Sequence, residues 1–394
     1  MIREAYLIDA VRTPRGRQSK PKKNFVGELA NIHPVTLGAI LVNALLERNP
    51  TLQPELVEDL IYSTATNCYE QATDIARNIV LSSKLPPTTS GVMLNRYCSG
   101  ALQANAFASA SIRVGDYDVV MAGGGEHMNK CPINSDIDFK RPPFTPEMVK
   151  KYPLNTQGQA AEIIAEKYKL TQEEIDEFAV WSNQKAWAAT KAGKFKNEII
   201  PIPYKDAEGN EQLLTEDTHI KPDTTMEAMK TLPRPFKPGG KIHAGNSSGI
   251  CDGAALALWA SEDVCKKYNL KPRARVVSNA NYGVMPNEML DGVIPGTQLA
   301  LKRAGLTIDD IDRFEINEAF ACVPVAWMKT LGIPREKVNV NGGAVAMGHP
   351  LGCTGGILLA TMINELEREN LRYGLITLCA ALGMSGTMII ERIP

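Results

Sequence analysis

The chain has 394 residues, which is too long for one small domain and predicts two to four packed units. Hydrophobic residues make up 44% and charged residues 22%, a balance that excludes a disordered or collagen-like chain. The 43 Lys and Arg residues nearly match the 44 Asp and Glu residues, so the chain offers no overall field for nucleic acid or anionic lipid, and a small-molecule partner is favoured. No run of about 18 apolar residues is present, so we expect no membrane span.

The eight cysteines include no C-x-x-C pair, which argues against a zinc ribbon or a thioredoxin-like site, and we expect no bound metal ion. The first residues lack the long apolar run of a secretory signal, so reduced thiols in the cytoplasm are expected. Most of these cysteines should be small buried hydrophobes, and a reactive one must be distinguished by its surroundings.

Strands and helices alternate over the first third of the chain. The alternation predicts an α/β fold with a mostly parallel sheet that helices cover on both faces. In chain order the predicted elements are a strand over 5–11, a helix over 36–46, strands over 56–61 and 91–94, a buried helix over 99–112, and a strand over 118–122 that ends in the glycines 123–125.

A similar order of elements recurs towards the C-terminus. We interpret the recurrence as an internal duplication, in which each half has a helix, a strand, a turn carrying the chemistry, a buried helix and a returning strand. The elements predicted in the second half are a helix over 296–305, a strand over 338–341, a helix over 355–367 and a strand over 375–378.

The middle of the chain differs in character from both halves. Residues 121–245 contain Pro-rich and charged stretches and an amphipathic helical run over 171–192. A long insertion of this kind usually supplies ligand contacts, so we predict a loop or lid domain. The predicted domains are an N-terminal half over 1–120 and 246–270, this loop domain, and a C-terminal half over 271–394.

Cys98 is the first candidate for chemistry, because it lies directly after a predicted strand and at the start of a buried helix. A thiol there faces free backbone N–H groups and the positive end of the helix dipole, which lowers its pKa and favours the thiolate. A packed core cysteine is an equally good interpretation of the position alone.

His349 lies in a glycine-dense turn over 342–356, where glycines permit close approach of a ligand or another chain segment. Neither a P-loop nor a G-x-G-x-x-G motif is present, so nucleotide hydrolysis and dinucleotide binding are disfavoured. His349 and Cys353 are spaced to share a metal ion, but no further ligands lie nearby in the sequence.

Two further polar side chains are predicted at strand ends, Cys379 after the last strand of the duplication and Asn317 after another strand. That edge of an α/β sheet is where ligands bind. The candidates for chemistry are therefore Cys98, Asn317, His349 and Cys379.

Together these motifs resemble the thiolase family over nearly the whole chain. The resemblance implies an α/β, thiolase-like fold, with duplicated α/β halves in an αβαβα layered architecture and an inserted loop domain that binds CoA. The pieces at 126–128 (EHM) and 138–139 (DF) look most like the degradative, fatty-acid-oxidation branch. The remaining matching motifs are 9–14 (DAVRTP), 245–249 (GNSSG), 252–255 (DGAA) and 348–350 (GHP).

The resemblance also implies a reaction. Thiolases cleave a 3-ketoacyl-CoA with free CoA to an acyl-CoA plus acetyl-CoA, or run the reverse Claisen condensation. Cys98 would be the nucleophile that takes the acyl group, and His349 would be its base and point into an oxyanion hole. Asn317 would hold a water in that hole, and Cys379 would protonate or deprotonate the α-carbon of acetyl-CoA. No bound cofactor is implied, because CoA is a co-substrate.

The resemblance implies further contacts and shows three departures. The second oxyanion hole would use the backbone N–H groups of Cys98 and Ala381. Ala381 replaces a usual glycine, and its methyl group disfavours positive φ. Residues 99–101 also depart from the family pattern, and Lys221 replaces an arginine and so loses the bidentate fork. The implied CoA contacts are Lys221, Phe236, Ser248, Met289 and Phe320, of which the two phenylalanines are equally compatible with a core position.

Three functions remain open from the sequence. A degradative 3-ketoacyl-CoA thiolase is favoured, and an acetoacetyl-CoA thiolase (acetyl-CoA C-acetyltransferase) with a smaller pocket is the alternative. The third is an acyl-CoA-binding or partner-dependent subunit with an unusual substrate, weakened by Ala381, although the presence of all four reacting groups favours an active enzyme. The small residues of 91–110 suit close packing between chains, so a homodimer or a dimer of dimers is expected.

Overall fold

A computed structural model describes residues 3–23 and 25–394. No helix within these residues is long and apolar enough to cross a membrane. The strands are β1 (Ala5–Arg12), β2 (Gly16–Arg17), β3 (Asp59–Ser63), β4 (Ser90–Leu94), β5 (Val119–His127), β6 (Ile202–Lys205), β7 (Glu211–Leu214), β8 (Cys251–Ser261), β9 (Ala274–Gly283), β10 (Arg313–Ile316), β11 (Tyr373–Ala380) and β12 (Met384–Arg392). The α-helices are α1 (Pro34–Arg48), α2 (Ile75–Leu81), α3 (Gly100–Val114), α4 (Pro146–Lys151), α5 (Gln157–Lys167), α6 (Gln172–Lys191), α7 (Met226–Lys230), α8 (Glu262–Tyr268), α9 (Val293–Ala304), α10 (Cys322–Leu331), α11 (Ala344–Met347) and α12 (Thr354–Arg368).

The main strands form two similar sheets that touch at one edge. The hydrogen-bonded order is β4–β3–β5–β8–β1 in the first half and β10–β11–β12–β9 in the second. The two join only where Tyr6 and Leu7 of β1 pair with Arg275 and Ala274 of β9. In both halves a parallel pair is followed by antiparallel neighbours, β3–β5–β8–β1 and β10–β11–β12–β9. This matching order confirms the predicted duplication.

Two predictions about the sheets are wrong. The sheets are mixed rather than mostly parallel, because only β3–β4, β3–β5 and β10–β11 are parallel pairs. The strand predicted over 338–341 is reduced to a single bridge between Val338 and Phe314. Asn339 has a φ of 41°, which turns the chain away, and its side-chain amide accepts from Ile316 N and donates to Ile316 O. A side chain therefore takes the place of the missing ladder.

Helices and sheets stack in five layers, which confirms the αβαβα architecture. Helices α1 and α2 bury side chains such as Leu41 on the outer face of the first sheet. Helices α3 and α12 lie between the two sheets, and their cluster includes residues of β8 and β12. Helices α9 and α10, with α5 and α6 of the insertion, cover the other sheet around Trp327. Because both sheets are covered on both faces, their strands are apolar on both sides.

The two middle helices start side by side, and this places the site. Gly355 in the first turn of α12 lies against Leu102 of α3, so closely that a Cβ on Gly355 would stand 2.5 Å from Leu102 N. The turns that precede the two helices, which carry Cys98 and Cys353, therefore meet at the same end of the middle layer. One comes from each half of the chain.

The insertion begins later than predicted. The predicted boundary at residue 120 falls inside β5, which continues through the glycines to His127. Those glycines are in the strand because neighbours come too close for side chains: a Cβ on Gly123 would lie 2.0 Å from Ala255 O, and one on Gly124 would lie 2.3 Å from Gly352 O. The insertion between β5 and β8 carries α4 to α7 and the β6–β7 hairpin.

Candidate active site

Cys98 lies in a tight 3-10 turn, Tyr97–Ser99, that leads into α3. Tyr97 has a φ of 48°, a conformation that bulky residues rarely adopt, so the cysteine follows a strained backbone position. The Cys98 side chain is 3% exposed and packs against Ala65, Met128 and Leu351. Leu351 follows His349 by two residues, so the loop that carries the histidine lies directly against the cysteine.

The prediction that the helix N-terminus lowers the pKa of Cys98 is wrong. Burial raises the pKa of the Cys98 thiol well above its usual range, and the nearby Cys379 and Glu126 raise it further. The free-energy cost of burying a thiolate is larger than the stabilisation that the backbone N–H groups give it. The thiol is therefore protonated at neutral pH, and a base must remove its proton before it attacks.

His349 is held in one tautomer. The hydroxyl of Thr354 donates to Pro350 O at 2.8 Å, so it has no second proton to give and must accept from His349 Nδ1 at 2.6 Å. Nε2 is then the unprotonated nitrogen, and it accepts from Asn317 Nδ2 at 3.2 Å. The backbone N–H of His349 donates to Gly249 O at 3.0 Å. The imidazole therefore presents a fixed lone pair.

The surroundings of His349 keep it neutral. Burial lowers the pKa of the imidazole to about 3, and the positive charge of Arg15 lowers it further. A neutral histidine with an unprotonated Nε2 is the form that accepts a proton, once this nitrogen exchanges its hydrogen bond from Asn317 Nδ2 for one from the proton donor.

Asn317 follows β10 directly, as predicted, and is 1% exposed. Its Oδ1 is buried and has no hydrogen-bond partner among the described residues. Buried acceptors are normally satisfied, so Oδ1 is an acceptor available to a water or a substrate atom.

Glu126 ties the His349 loop to the segment that follows β3, and the sequence did not single it out except as part of a family motif. Its carboxylate accepts from Gly352 N at 2.8 Å, Ala65 N at 2.7 Å and Gln71 Nε2 at 2.9 Å. Burial raises its pKa to about 7, against the opposing effect of these hydrogen bonds. The signal for it was a carboxylate directly after the glycine run 123–125. Its side chain holds the His349 loop, through Gly352, against the segment after β3, through Ala65.

Cys379 lies in β11, one residue before the strand ends, and is 1% exposed. Burial raises the pKa of its thiol to about 12. Strand β11 contacts the turn Tyr97–Ser99, so Cys379 lies on the strand beside the turn that carries Cys98. The adjacent strand also reaches the nucleophile turn, since a Cβ on Gly386 would lie 3.1 Å from Ser99 Cβ. The structure thus brings both cysteines to the end of the sheet where His349 lies.

The methyl group of Ala381 disfavours positive φ, but this position does not need one. In the turn Ala381–Gly383 the positive φ values belong to Leu382, at 59°, and Gly383, at 80°. Ala381 adopts a conformation open to any residue, so the methyl group carries no backbone penalty there. The strain falls on Leu382 instead.

Four of the five predicted CoA contacts lie in or beside the hydrophobic cluster that also contains Cys379. Phe236 and Phe320 meet edge to face with ring centroids 6.3 Å apart, and they share a hydrophobic cluster with Met289 and Cys379. Ser248 N donates to Ala319 O at 3.0 Å, beside Phe320. The fifth, Lys221, is exposed on the insertion, where its N–H donates to Asn183 Oδ1 at 3.0 Å. Contact of these side chains with CoA stays a prediction.

Cys353 does not face the catalytic groups. Its side chain packs in the core against Ala255 and Ile357, and its thiol donates to Pro350 O. All eight cysteines are free thiols. In residues 3–23 and 25–394, no group of three or more His, Cys, Asp or Glu side chains is arranged to hold a metal ion.

Two duplicated halves that place two cysteines, a histidine and an asparagine at one sheet end define an acyltransferase of the thiolase type. The family model for the thiolase N-terminal domain matches residues 5–263, and that for the thiolase C-terminal domain matches residues 270–392. The chain belongs to the thiolase family.

The curated relatives and solved structures are full-length matches. The 3-ketoacyl-CoA thiolases of Escherichia fergusonii and Salmonella typhimurium are each 39% identical over 396 residues, covering 100% of both chains. The human mitochondrial 3-ketoacyl-CoA thiolase has a TM-score of 0.89 at 33% identity, covering 99% of both chains. The Bacillus anthracis acetyl-CoA acetyltransferase has a TM-score of 0.89 at 33% identity, covering 100% of this chain and 99% of that one. The predicted thiolase-like fold is confirmed.

Proposed function

We propose that the chain is a 3-ketoacyl-CoA thiolase, which cleaves a 3-ketoacyl-CoA with CoA into an acyl-CoA and acetyl-CoA, and which also runs the reverse condensation. The observation that carries the proposal is the fixed lone pair on His349 Nε2, on a loop packed against the protonated Cys98 thiol. A buried thiol with a raised pKa requires such a base. The names of the relatives at 39% identity support this substrate class.

In the first half-reaction His349 Nε2 takes the proton of Cys98, and the thiolate attacks the keto carbon of the substrate. The N–H groups of Cys98 and Ala381 would stabilise the oxyanion that forms. The bond between the second and third carbons then breaks, and the electron pair leaves as the enolate of acetyl-CoA. Its oxygen would receive hydrogen bonds from His349 and a water held by Asn317 Oδ1. Cys379 gives its proton to the enolate carbon, which completes acetyl-CoA.

In the second half-reaction CoA enters and the protons return. The Cys379 thiolate takes the proton of the CoA thiol, and the CoA sulfur attacks the acyl thioester on Cys98. Cys98 leaves as a thiolate and recovers its proton from His349, so the enzyme returns to its starting state. The raised pKa of Cys379, about 12, makes its thiolate a strong base for this step.

An acetoacetyl-CoA thiolase is the second candidate, supported by the similarity to the Bacillus anthracis acetyl-CoA acetyltransferase. Both candidates share the steps above and differ in acyl length. A binding-only or partner-dependent subunit is disfavoured because all four reacting groups are present and close together. We favour the degradative direction and a place in fatty-acid β-oxidation, on the names of the 39% identical relatives.

A cytoplasmic homodimer completes the proposal. Eight free thiols suit a reducing compartment. Strand β4 pairs with β3 along one edge only in the described residues, and its Val92 is 44% exposed. Phe107 on the neighbouring α3 is 48% exposed. An uncharged, open edge of this kind pairs with a second copy across a two-fold axis.

The test is acylation of the nucleophile. Incubation with an acyl-CoA should give an adduct on Cys98 by peptide mass spectrometry, and Cys98→Ser should abolish turnover yet keep CoA binding. An adduct on Cys379 or Cys353 would contradict the assignment. A panel of ketoacyl-CoA substrates, followed by CoA-dependent loss of the enolate absorbance, separates the candidates: turnover of acetoacetyl-CoA alone supports the second, and no turnover supports the binding subunit.

A further inference from the structure

Leu382 has an unfavourable backbone conformation beside the reacting groups. Its φ and ψ are 59° and 24°, in the left-handed region, which is unfavourable for a residue with a side chain. Nine non-glycine residues in the described chain have positive φ, and Leu382 alone among them is aliphatic. Backbone strain of this kind clusters at active sites and ligand-binding segments.

The Leu382 turn adjoins a second turn after β9. Val284 N donates to Gly383 O at 2.7 Å, and a Cβ on Gly383 would lie 3.2 Å from the carbonyl carbon of Met285. Tyr282 of β9 pairs with Ser385 of β12, which follows the same turn. Tyr282 and Met285 are therefore held next to Leu382.

These three residues form an apolar rim. Tyr282 is 41% exposed and Met285 is 49% exposed, while Leu382 is half-buried. Neither 379–386 nor 282–286 contains a charged residue. Exposed apolar side chains that adjoin a reaction centre indicate a binding surface for an apolar group.

We propose that Leu382 is a specificity-determining residue that contacts the acyl chain of the substrate, so that the site prefers an uncharged apolar acyl chain longer than that of acetoacetyl-CoA. The inference rests on the proposed thiolase function. Cys379 and the oxyanion donor Ala381 flank the reacting carbon in that function, and Leu382 is the next residue of the same turn. The rim is therefore adjacent in the fold to the position at which the acyl chain would leave the reacting carbon. The absence of charge there disfavours an acyl chain that ends in a carboxylate.

The test compares kcat/KM for 3-ketodecanoyl-CoA and acetoacetyl-CoA in the wild type and in two variants. Leu382→Ala removes the contact but keeps the strained Cβ, and Leu382→Gly removes both. The wild type should have the higher kcat/KM for 3-ketodecanoyl-CoA. In both variants the ratio of kcat/KM for 3-ketodecanoyl-CoA to that for acetoacetyl-CoA should fall about tenfold, because one methylene in an apolar pocket contributes at least about that factor. Met285→Ala, on the other side of the rim, should lower the same ratio.

A matched control isolates backbone strain. Lys169 is exposed and has a φ of 50°, and it lies on the insertion, so Lys169→Gly relieves a similar strain without touching the rim. Its ratio should equal that of the wild type. A change in Leu382→Gly without one in Leu382→Ala would overturn the inference, because strain rather than contact would then be responsible.

The two proposals fail separately. If the wild type turns over no ketoacyl-CoA, the proposed function is refuted and this inference falls with it. If the wild type turns over ketoacyl-CoA but prefers acetoacetyl-CoA, or if Leu382→Ala and Met285→Ala leave the ratio unchanged, only the inference on Leu382 is refuted.

Discussion

Replacing Thr354 by valine should reduce the ability of His349 to accept a proton without changing the position of its side chain. Thr354→Val keeps the shape of the side chain and removes the hydroxyl that accepts from His349 Nδ1 at 2.6 Å. A buried N–H left without an acceptor costs about 1–3 kcal/mol. The cost raises the free energy of the tautomer that is protonated on Nδ1, whose Nε2 can accept a proton. It therefore favours the tautomer that is protonated on Nε2, which cannot take the proton of Cys98. At about 1.4 kcal/mol for each tenfold change, acylation of Cys98 should slow roughly 5- to 140-fold.

The assay is single-turnover acylation of Cys98 by an acyl-CoA, measured by mass spectrometry over time. Thr354→Ser restores the hydroxyl and should restore the rate. Thr361→Val is the matched control, since Thr361 is a buried threonine of the same helix whose hydroxyl donates to Glu198 at 2.9 Å. It should lower stability and leave acylation within about twofold of the wild type. An acylation rate in Thr354→Val equal to that of the wild type would refute the assignment of the tautomer.

Three other predictions concern proton transfer, pH and assembly. Cys379→Ala should abolish cleavage of a ketoacyl-CoA and spare acylation of Cys98 by a simple acyl-CoA, which forms no enolate; loss of both would show a structural role. The pKa of Glu126 is about 7 when folded and about 4.3 when unfolded, so its contribution to stability is present below pH 4.3 and declines as the pH rises through 7. In Glu126→Gln the melting temperature should therefore depend less on pH between about 4.3 and about 7 than in the wild type. An equal pH dependence in the two proteins would contradict this. The wild type should have twice the 43.0 kDa mass in light scattering and Val92→Lys should halve it, whereas a monomeric wild type would rule out the dimer.

The sequence predicted what depends on local pattern. Apolar runs and strand-to-helix turns located both halves, and the family motifs selected the four reacting side chains. Contacts between distant segments were not predictable. The direction of neighbouring strands depends on where the chain returns, so a mixed sheet was read as parallel. The strand over 338–341 failed because a side-chain amide of Asn339 substitutes for the ladder, and a propensity pattern contains no such information.

The protonation states of the site were not predictable from the sequence for a related reason. The helix N-terminus beside Cys98 was visible in the sequence, but the burial that outweighs it comes from Ala65, Met128 and Leu351, which lie far from it in the chain. The tautomer of His349 depends on Thr354, five residues away, and on a carbonyl that only the folded loop presents. The sequence shows a missing glycine at Ala381, but not that Leu382 is the residue of this turn with the positive φ.

The shared middle layer has a consequence for synthesis on the ribosome. Helix α3 belongs to the half made first and α12 to the half made last, and each completes the hydrophobic cover of the other half's sheet. The first half therefore emerges with its inner face uncovered and with Cys98 distant from any base. Thioester-cleaving chemistry begins only when the final third of the chain docks. A nascent or truncated chain that ends before His349 therefore has Cys98 without the base that removes its proton.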